Sequence, residues 1–311
     1  MIIMQPQITK NVEKYIIGVD AGGSQTKANA YTQDGEFLFG TKGGFGNVTI
    51  DFDISIHNIK ATIDAIIDHL GNDYAFICLG CAGIETGKKI NITRNFLEQI
   101  YGANTYVTND ANLALYGALK GQDGILVVAG TGSIGYLKLR GECKRYGGWG
   151  HLIGDDGSGY SIAMNAIRHI TTLKDKELPL DTLGQEIFSR LDLSGNNELI
   201  DFVYNSTKSD IASIVPIVVM KAYQEDGVSI DLLTEAGEKL ADLAVNLATQ
   251  NSIDNPTIAV SGSIIGKINL VFDSFKLSLD KNLKAYKLLS EEFDASIGAV
   301  YIYKELTKNE D

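Results

Sequence analysis

The chain has 311 residues, of which 44% are hydrophobic and only four are proline, a composition typical of an ordered globular protein rather than a fibrous, disordered or membrane-spanning one. Its 27 lysines and arginines against 39 aspartates and glutamates give a formal net charge of −12, which repels polyanions and argues against a nucleic-acid partner. The length is sufficient for two compact lobes.

The N-terminal stretch MIIMQPQITKNVEK has no apolar run long enough for a signal peptide, and no later run approaches the length of a spanning helix. We therefore expect a cytoplasmic protein with no membrane partner. The cysteines are too few, and odd in number, for a disulfide framework. Cys78 and Cys81 form a C-x-x-C motif, but AFICLGCAG predicts a buried strand that points them to opposite faces, so no shared metal or disulfide is expected.

The first part of the chain predicts a β-meander followed by alternating helices and strands. YIIGVDAGGSQTKANAYTQDG predicts two strands around a tight Gly-Gly turn, with a second turn at Asp34-Gly35. Apolar residues then recur at helical spacing and predict an amphipathic helix over 54–70. The strand AFICLGCAG, a helix near 88–101 and the short strand TYVTND follow. This order is typical of a mixed sheet covered by helices.

The same pattern returns in DGILVVAGTGSIGYLKLRG, where a turn of glycine, serine and threonine separates two strands. The loops AGGSQT and AGTGSI therefore indicate an internal duplication and two related lobes, whose glycine hairpins are expected to face each other across a cleft. Region 172–231 gives weak signals. LLTEAGEKLADLAVNLATQ predicts a helix, PTIAVSGSIIGK a strand and glycine turn leading to a helix, and DASIGAVYIYKEL a final helix. We place the lobe boundary near Asn112.

The glycine loop GTGSIG, residues 130–135, formally matches the dinucleotide motif G-x-G-x-x-G. A Rossmann turn must open a helix, whereas YLKLRG continues with the alternation of a strand. GIETGKK and GSIIGKI lack the Walker A spacing. The remaining interpretation is a pair of hairpins that bind phosphates, because glycine lets backbone N–H groups approach phosphate oxygens and Ser24 and Thr131 add hydroxyl donors. Plain hairpin turns are the alternative.

Two aspartates stand at predicted strand ends. Asp20 directly precedes the first glycine turn. A carboxylate there would repel bound phosphates unless Mg²⁺ lay between them. Asp20 is therefore the candidate metal ligand, directly or through water. Asp110 ends TYVTND and begins a helix. It could accept the proton of an attacking hydroxyl, or it could simply cap the helix.

The segment GGWGHLIGDDGSG, residues 147–159, contains the only tryptophan of the chain. A sugar offers a weakly apolar face to an aromatic ring and hydroxyls to carboxylates, so Trp149 and Asp155 suit a sugar. The alternative is that Trp149 packs between lobes and only shapes the pocket. We expect His151 to structure the loop and Asp156 to be a turn or cap residue.

Taken together, these segments resemble the N-acetylglucosamine kinases, within the BadF/BadG/BcrA/BcrD ATPase family of the actin, sugar kinase and Hsp70 superfamily. GGWGHLIGDDGSG is the most specific match, and the matches are spread over nearly the whole chain. The matching segments are GVDAGGSQTK, FGNVT, TNDA, AGTGSIG, GGWGHLIGDDGSGYSIA, SDIAS, AVSGSII and SIGAVYI.

The resemblance implies an α/β fold of two RNase H-like, actin-like ATPase lobes with an interlobe nucleotide cleft. The N-terminal lobe would comprise residues 1–112 and the C-terminal helix 294–311, and the C-terminal lobe residues 113–293. The implied reaction transfers the γ-phosphoryl group of Mg-ATP to a hydroxyl, expected to be the 6-OH, of an amino sugar. N-acetylglucosamine is the first expectation, with glucosamine, N-acetylmuramate and hexoses as alternatives, and a homodimer is expected.

The resemblance also implies residue roles, with Asp110 as catalytic base and Asp20 as metal ligand. The implied sugar contacts are Asn47, Asp110, Gly148, Trp149, Gly150 and Asp155. The implied ATP contacts are Gly22, Gly23, Ser24, Gln25, Thr26, Gly130, Thr131, Gly132, Ala212, Gly262 and Ser263.

Two other functions are alternatives to the kinase. One branch of this family activates an iron-sulfur dehydratase, but its cluster needs accessible thiolates, and Cys143 is the only cysteine outside the predicted buried strand. A sugar-sensing regulator is disfavoured because the sequence contains no evident helix-turn-helix segment or basic patch.

Overall fold

The computed structural model describes residues 14–84, 87–102 and 104–308. The chain divides into two compact units, one of Met1–Gln122 with Phe293–Asp311 and one of Asp123–Glu292. The boundary predicted near Asn112 falls inside a helix, Asp110–Ala118, which packs against β4 and the C-terminal helix and so stays with the first unit. The division therefore lies after Gln122.

The first unit contains a five-stranded mixed sheet with the order β3-β2-β1-β4-β5. The first three strands form the antiparallel meander that the sequence predicts, and β4 and β5 run parallel to β1. The strands are β1 (Tyr15–Ala21), β2 (Thr26–Tyr31), β3 (Phe37–Gly43), β4 (Tyr74–Cys81) and β5 (Thr105–Asn109).

The second unit repeats this topology in its own sheet, with the order β10-β9-β6-β7-β8. Its first three strands are an antiparallel meander and its last two are parallel additions. The predicted internal duplication is therefore confirmed. The strands are β6 (Gly124–Ala129), β7 (Ser133–Leu139), β8 (Glu142–Gly147), β9 (Thr257–Ser261) and β10 (Lys287–Leu289).

Helices cover the sheets of both units. The region 172–231, which gave weak signals in the sequence, is largely helical. None of the helices in the described ranges is long and apolar enough to cross a membrane. The helices are α1 (Phe52–Leu70), α2 (Gly87–Tyr101), α3 (Asp110–Ala118), α4 (Gly159–Asp175), α5 (Thr182–Arg190), α6 (Asn196–Asn205), α7 (Lys208–Ala212), α8 (Val215–Tyr223), α9 (Gly227–Gln250), α10 (Ser263–Lys267), α11 (Asn269–Asn282), and α12 (Gly298–Lys308) after a 3-10 turn (Ala295–Ile297).

Helix α1 shows how local sequence produces these elements. Asp51 caps its N-terminus by accepting a hydrogen bond from Ile54 N at 3.0 Å, and Gly71, with a φ of 88°, ends it. Its buried stripe includes Ile59 and Ile63 at helical spacing, which pack on one face of the first sheet.

The first sheet has a hydrophobic core on each face. One core lies against α1 and α2 and contains Cys81, whereas the other lies against α3 and α12 and contains Cys78. The opposite orientation predicted for the two thiols is confirmed, because successive side chains of a strand point to opposite faces. The strands that carry Asp20 and lead to Asp110 are therefore held by packing on both sides.

Gly298, the first residue of α12, is required by the close approach of α12 to α3. A Cβ at this position would lie 2.0 Å from the carbonyl oxygen of Leu113. We expect Gly298→Ala to reduce the free energy of unfolding by about 2 kcal/mol, because backbone atoms of α3 must move to relieve the overlap. Urea or thermal unfolding of the purified variant measures this loss.

Gly266→Ala is the matched control. This glycine also lies in a helix, but a Cβ there would meet no atom within 4 Å. We expect a neutral or slightly stabilising effect from the better helix propensity of alanine. Equal destabilisation by the two substitutions would contradict the packing argument.

Candidate functional site

The first unit brings two carboxylates to one edge of its sheet. In the parallel part of the sheet, Asp20 of β1 is level with Gly80 of β4, and Gly80 is level with Thr108 of β5. Strand β5 ends at Asn109, and Asp110 follows as the first residue of α3. The two aspartates predicted from strand ends therefore lie at the same carboxyl edge, which is where open α/β sheets bind ligands.

The surroundings of both carboxylates disfavour their charged forms. Burial, and after it the charges of Asp110 and Asp294, raise the pKa of Asp20 from 3.8 to about 6, although Lys27 opposes the rise. Burial also raises the pKa of Asp110, although backbone N–H groups lower it. Carboxylates perturbed together in this way are typical of catalytic or metal-binding sites.

The N-cap position of α3 is held by the residue before Asp110. The N-cap of α3 is Asn109, whose Oδ1 accepts a hydrogen bond from Asn112 N at 2.6 Å. The carboxylate of Asp110 accepts local bonds from backbone N–H groups, including one from Ala111 N at 2.9 Å. Helix capping is thus the role of Asn109, and the carboxylate of Asp110 is not needed for it.

The first glycine hairpin is a tight turn next to these carboxylates. Gly22 N donates to Gln25 O at 2.9 Å, which leaves Gly23 and Ser24 exposed at the tip. A side chain at Gly23 would meet no atom within 4 Å, so a ligand can approach this backbone. Thr26 differs from the rest of the predicted ATP contacts, because it is fully buried and its hydroxyl lies next to Gly46 in the loop after β3.

The predicted sugar contact Asn47 lies beside the same hairpin. Gly46 N donates to Gly22 O at 3.0 Å, and Asn47 Oδ1 accepts from Thr49 N at 2.9 Å. The hydroxyl of Thr49 donates in turn to Gly83 O at 2.8 Å, just beyond β4. These bonds fix the loop before α1 at the edge that carries Asp20.

The second glycine hairpin lines a large cavity in the second unit. Gly130 N donates to Gly132 O at 2.9 Å, and Gly130 O accepts from Gly159 N at 2.8 Å at the start of α4. The adjoining cavity has a volume of about 790 Å³. Four residues predicted to contact ATP line it, namely Gly130, Thr131, Ala212 and Ser263.

The apolar wall of this cavity was not predicted from the sequence. Helix α8 contributes Val219, Met220 and Tyr223 to it. The only available signal was the apolar run VPIVVM within a region whose periodicity was weak. Gly262, also predicted to contact ATP, adjoins the cavity, where its φ of 101° and a Cβ position only 2.3 Å from Ala129 O both demand glycine.

The tryptophan loop lies between β8 and α4. Trp149 is 65% exposed, so it does not belong to the hydrophobic core of its unit, and the guanidinium of Arg145 lies 4.4 Å from its ring centroid. Gly148 and Gly150 on either side have positive φ values of 67° and 91°. A side chain at Gly148 would collide with Ile134 at 2.2 Å.

Asp155 connects the tryptophan loop to the second hairpin. It is only 7% exposed and has a φ of 60°, and its Oδ1 accepts from Gly150 N at 3.2 Å. A Cβ on Gly132 would come within 2.7 Å of Asp155 Oδ2, so the hairpin and the carboxylate are in close contact. Gly148, Trp149 and Asp155 line a cavity of about 480 Å³ together with Arg145 and Lys239.

His151 and Asp156, the two loop residues predicted to have structural roles, make contacts that stabilise the loop. The ring of His151 contacts the ring of Tyr160 edge to face, with centroids 4.8 Å apart. The carbonyl of Asp156 accepts from Ser133 Oγ at 2.7 Å. Both observations favour roles in holding the loop rather than in chemistry.

Comparison with known proteins assigns the family. The model of the BadF/BadG/BcrA/BcrD ATPase family matches residues 17–302. The chain belongs to this family.

Relatives of known function align with this BadF/BadG/BcrA/BcrD ATPase family member over nearly its full length. It is 32% identical to an N-acetylmuramic acid/N-acetylglucosamine kinase of Clostridium acetobutylicum, over 93% of this chain and 98% of the relative. It is 27% identical to an N-acetyl-D-glucosamine kinase of Dictyostelium discoideum, over 93% and 98%. A Chromobacterium violaceum structure, solved under a provisional N-acetylglucosamine kinase name, covers 92% of this chain and 98% of its own, with 25% identity and a TM-score of 0.72.

The acidic edge of the first unit fits magnesium held jointly with a nucleotide. Within the described ranges, no group of three or more histidine, cysteine, aspartate or glutamate side chains is arranged to hold a metal ion alone. Mg²⁺ is commonly bound by one or two carboxylates, with phosphates and water as its other ligands. Asp20 suits that donor set, because a cation would offset the burial and repulsion that raise its pKa.

The raised pKa of Asp20 predicts a stability cost that depends on pH. Because the folded pKa of about 6 exceeds the ordinary 3.8, the ionised group destabilises the fold above pH 6, and the cost disappears as pH falls below about 4. We expect Asp20→Asn to raise the free energy of unfolding at pH 7.5 by roughly 2 kcal/mol in metal-free buffer. Unfolding curves at pH 7.5 and pH 3.5 test this. An equal gain at both values would contradict it.

Proposed function

We propose that this protein is an ATP-dependent kinase that transfers the γ-phosphoryl group to a hydroxyl of an amino sugar. N-acetylglucosamine is the first candidate substrate and its 6-OH the first candidate acceptor. The observation that carries the proposal is the pair of partly buried carboxylates, Asp20 and Asp110, at the sheet edge next to an open glycine hairpin. The names of the relatives support the substrate class.

In this proposal the second unit binds the nucleoside. The apolar residues Met220 and Tyr223 contact the adenine, and Ala212, Gly262 and Ser263 lie by the adenosine. Thr131, which also lines the cavity, contacts phosphates through its backbone N–H group and its hydroxyl, and Gly130 leaves room for them. The exposed tip of the first hairpin, Gly23 and Ser24, contacts phosphates in the same manner.

Asp110 orients the attacking hydroxyl and accepts its proton. Phosphoryl transfer passes through a loose transition state, so the protein mainly supplies in-line positioning and charge neutralisation. A strong base is not required, because the hydroxyl loses its proton late. When bound, Mg²⁺ supplies the neutralising charge, and Asp20 holds it directly or through water.

The sugar is held by a polar and an apolar set of contacts. Trp149 offers its exposed face to the sugar ring, and Asp155 and Asn47 accept hydrogen bonds from its hydroxyls. Gly148 and Gly150 let backbone groups approach the sugar ring. Glucosamine, N-acetylmuramate and hexoses remain alternative acceptors, because they differ by groups that a few side chains accept or exclude.

The cysteines support the kinase over the iron-sulfur activator. Cys78 and Cys81 are buried, and burial raises the pKa of both thiols, that of Cys81 to about 11. Cys143 alone is exposed. A cluster needs several accessible thiolates, which these positions do not offer within one chain. The homodimer implied by the resemblance stays a prediction.

A panel of amino sugars and hexoses in a coupled ADP-release assay tests the proposed function, with Asp110→Asn as the diagnostic variant. We expect phosphorylation of at least one N-acetylated amino sugar. Asp110→Asn should lower kcat by about 10²-fold or more, because the hydroxyl loses its orienting base, while ATP binding and thermal stability are retained.

Asp226→Asn is the matched control for that variant. Asp226 caps α9 by accepting from Ser229 N at 2.9 Å, and asparagine can also cap a helix. We expect its kcat to be unchanged. Absence of turnover with every sugar would refute the kinase, whereas normal turnover of Asp110→Asn would remove only this residue from its role.

Trp149→Ala should weaken sugar binding without lowering the stability of the fold. Because the indole is largely exposed, we expect the free energy of unfolding to change by less than about 0.5 kcal/mol. The KM for the sugar should rise about tenfold through loss of the ring contact, with the KM for ATP unchanged. Tyr204→Ala, at an 84% exposed aromatic on α6, is the control expected to leave both constants unchanged. Similar small effects of both variants would indicate that Trp149 does not contact sugar.

A further inference from the structure

Asp294, which no sequence motif singled out, lies in the segment where the chain returns to the first unit. Its Oδ1 accepts hydrogen bonds from Ser296 N at 3.1 Å and Ser296 Oγ at 2.7 Å. Its Oδ2 accepts from Asn29 Nδ2 at 3.0 Å and forms an ion pair with the ammonium of Lys27. This carboxylate is therefore held in one orientation by four donors.

The groups around Asp294 are themselves buried and ordered. Asn29 and Tyr31 of β2 are each 4% exposed, and both bond to the hydroxyl of Ser296, at 2.9 Å and 2.8 Å. The neighbouring strands carry glycine where this network needs space. A Cβ at Gly18 would lie 1.9 Å from Ser296 O, and one at Gly40 would lie 2.3 Å from Asn29 Oδ1. Such a network fixes the position of the carboxylate that holds Lys27.

Lys27 has a second carboxylate beside it. Lys27 of β2 is the register partner of Asp20 on β1, so their side chains lie on the same face of the antiparallel pair. The charge of Lys27 acts on Asp20. On its other side Lys27 is level with Lys42 of β3, which repels it. The ammonium can therefore pair with Asp294 or with Asp20, and the structure shows the pair with Asp294.

We propose that Asp294 is a positioning residue that holds the Lys27 ammonium away from Asp20, so that the Asp20 carboxylate remains available to the divalent cation of the nucleotide. The inference rests on the proposed function, which assigns Asp20 to that cation. An ammonium bound to Asp20 would occupy its oxygen lone pairs and cancel the charge that attracts a cation. Asp294 thus removes a competitor from the metal site without touching the metal.

Binding of Mn²⁺·ADP, followed by electron paramagnetic resonance of free Mn²⁺, tests the proposal without turnover. Asp294→Asn keeps the shape of the side chain but releases Lys27, so we expect the Kd of Mn²⁺·ADP to rise about tenfold, the effect of one charge-assisted contact. Lys27→Met should leave the Kd within about threefold of wild type. The double variant should recover to that same range, because the competitor is absent.

Ser296→Ala is the matched control. It removes one hydrogen bond to Asp294 and lowers thermal stability, but it keeps the charge that holds Lys27, so Mn²⁺·ADP binding should be retained. An unchanged Kd in Asp294→Asn, or a double variant as weak as that single variant, would overturn the proposal. If the wild-type protein fails to bind Mn²⁺·ADP at all, the proposed function fails first, and the two failures are thereby distinguished.

Discussion

The structure depends on keeping two carboxylates, Asp20 and Asp110, close together and partly removed from water. Burial raises the pKa of both carboxyl groups, and the charge of Asp110 adds to the rise at Asp20. The sheet tolerates this arrangement because its strands pack against hydrophobic cores on both faces, so the strand ends cannot easily move apart. The same constraint explains why the edge suits a cation, since only added positive charge removes the repulsion without moving the backbone.

Both units use one topology, and their differences lie in the connections. In the first unit the meander leads by a short loop through Asn47 into α1. In the second, the equivalent connection is the longer tryptophan loop, and α5 to α8 are added between α4 and α9. The first unit therefore supplies Asp20 and Asp110, whereas the second supplies the cavity of about 790 Å³ and the tryptophan loop. This division agrees with the general rule that a rigid scaffold is retained while its loops carry function.

Several local features could be predicted because their causes are local. The alternation in AFICLGCAG was enough to place Cys78 and Cys81 on opposite faces, and the spacing over 54–70 was enough to predict α1. The secondary structure of region 172–231 was harder to predict. Its helices α5 to α8 have only five to ten residues each, so each one offers few turns from which a helical period can be recognised.

The capping of α3 shows a different limit of prediction from the sequence. The sequence TNDA offers two adjacent residues that could cap the helix, and the choice of Asn109 depends on where β5 stops, which is set by its pairing with β4. The environment of Lys27 is a still clearer case. Its partner Asp294 is remote in sequence, and only the return of the chain to the first sheet brings the two together.

The sequence by itself determined the duplicated meanders, the two glycine hairpins, the strand-end aspartates and, through its motifs, the family. These features depend on residue types and spacings within short segments, where backbone sterics and side-chain alternation dominate. Tertiary structure alone decided which residue caps α3, which apolar side chains line the large cavity, and which carboxylate pairs with Lys27. Those outcomes depend on contacts between distant segments, because burial and charge pairing act through space rather than along the chain.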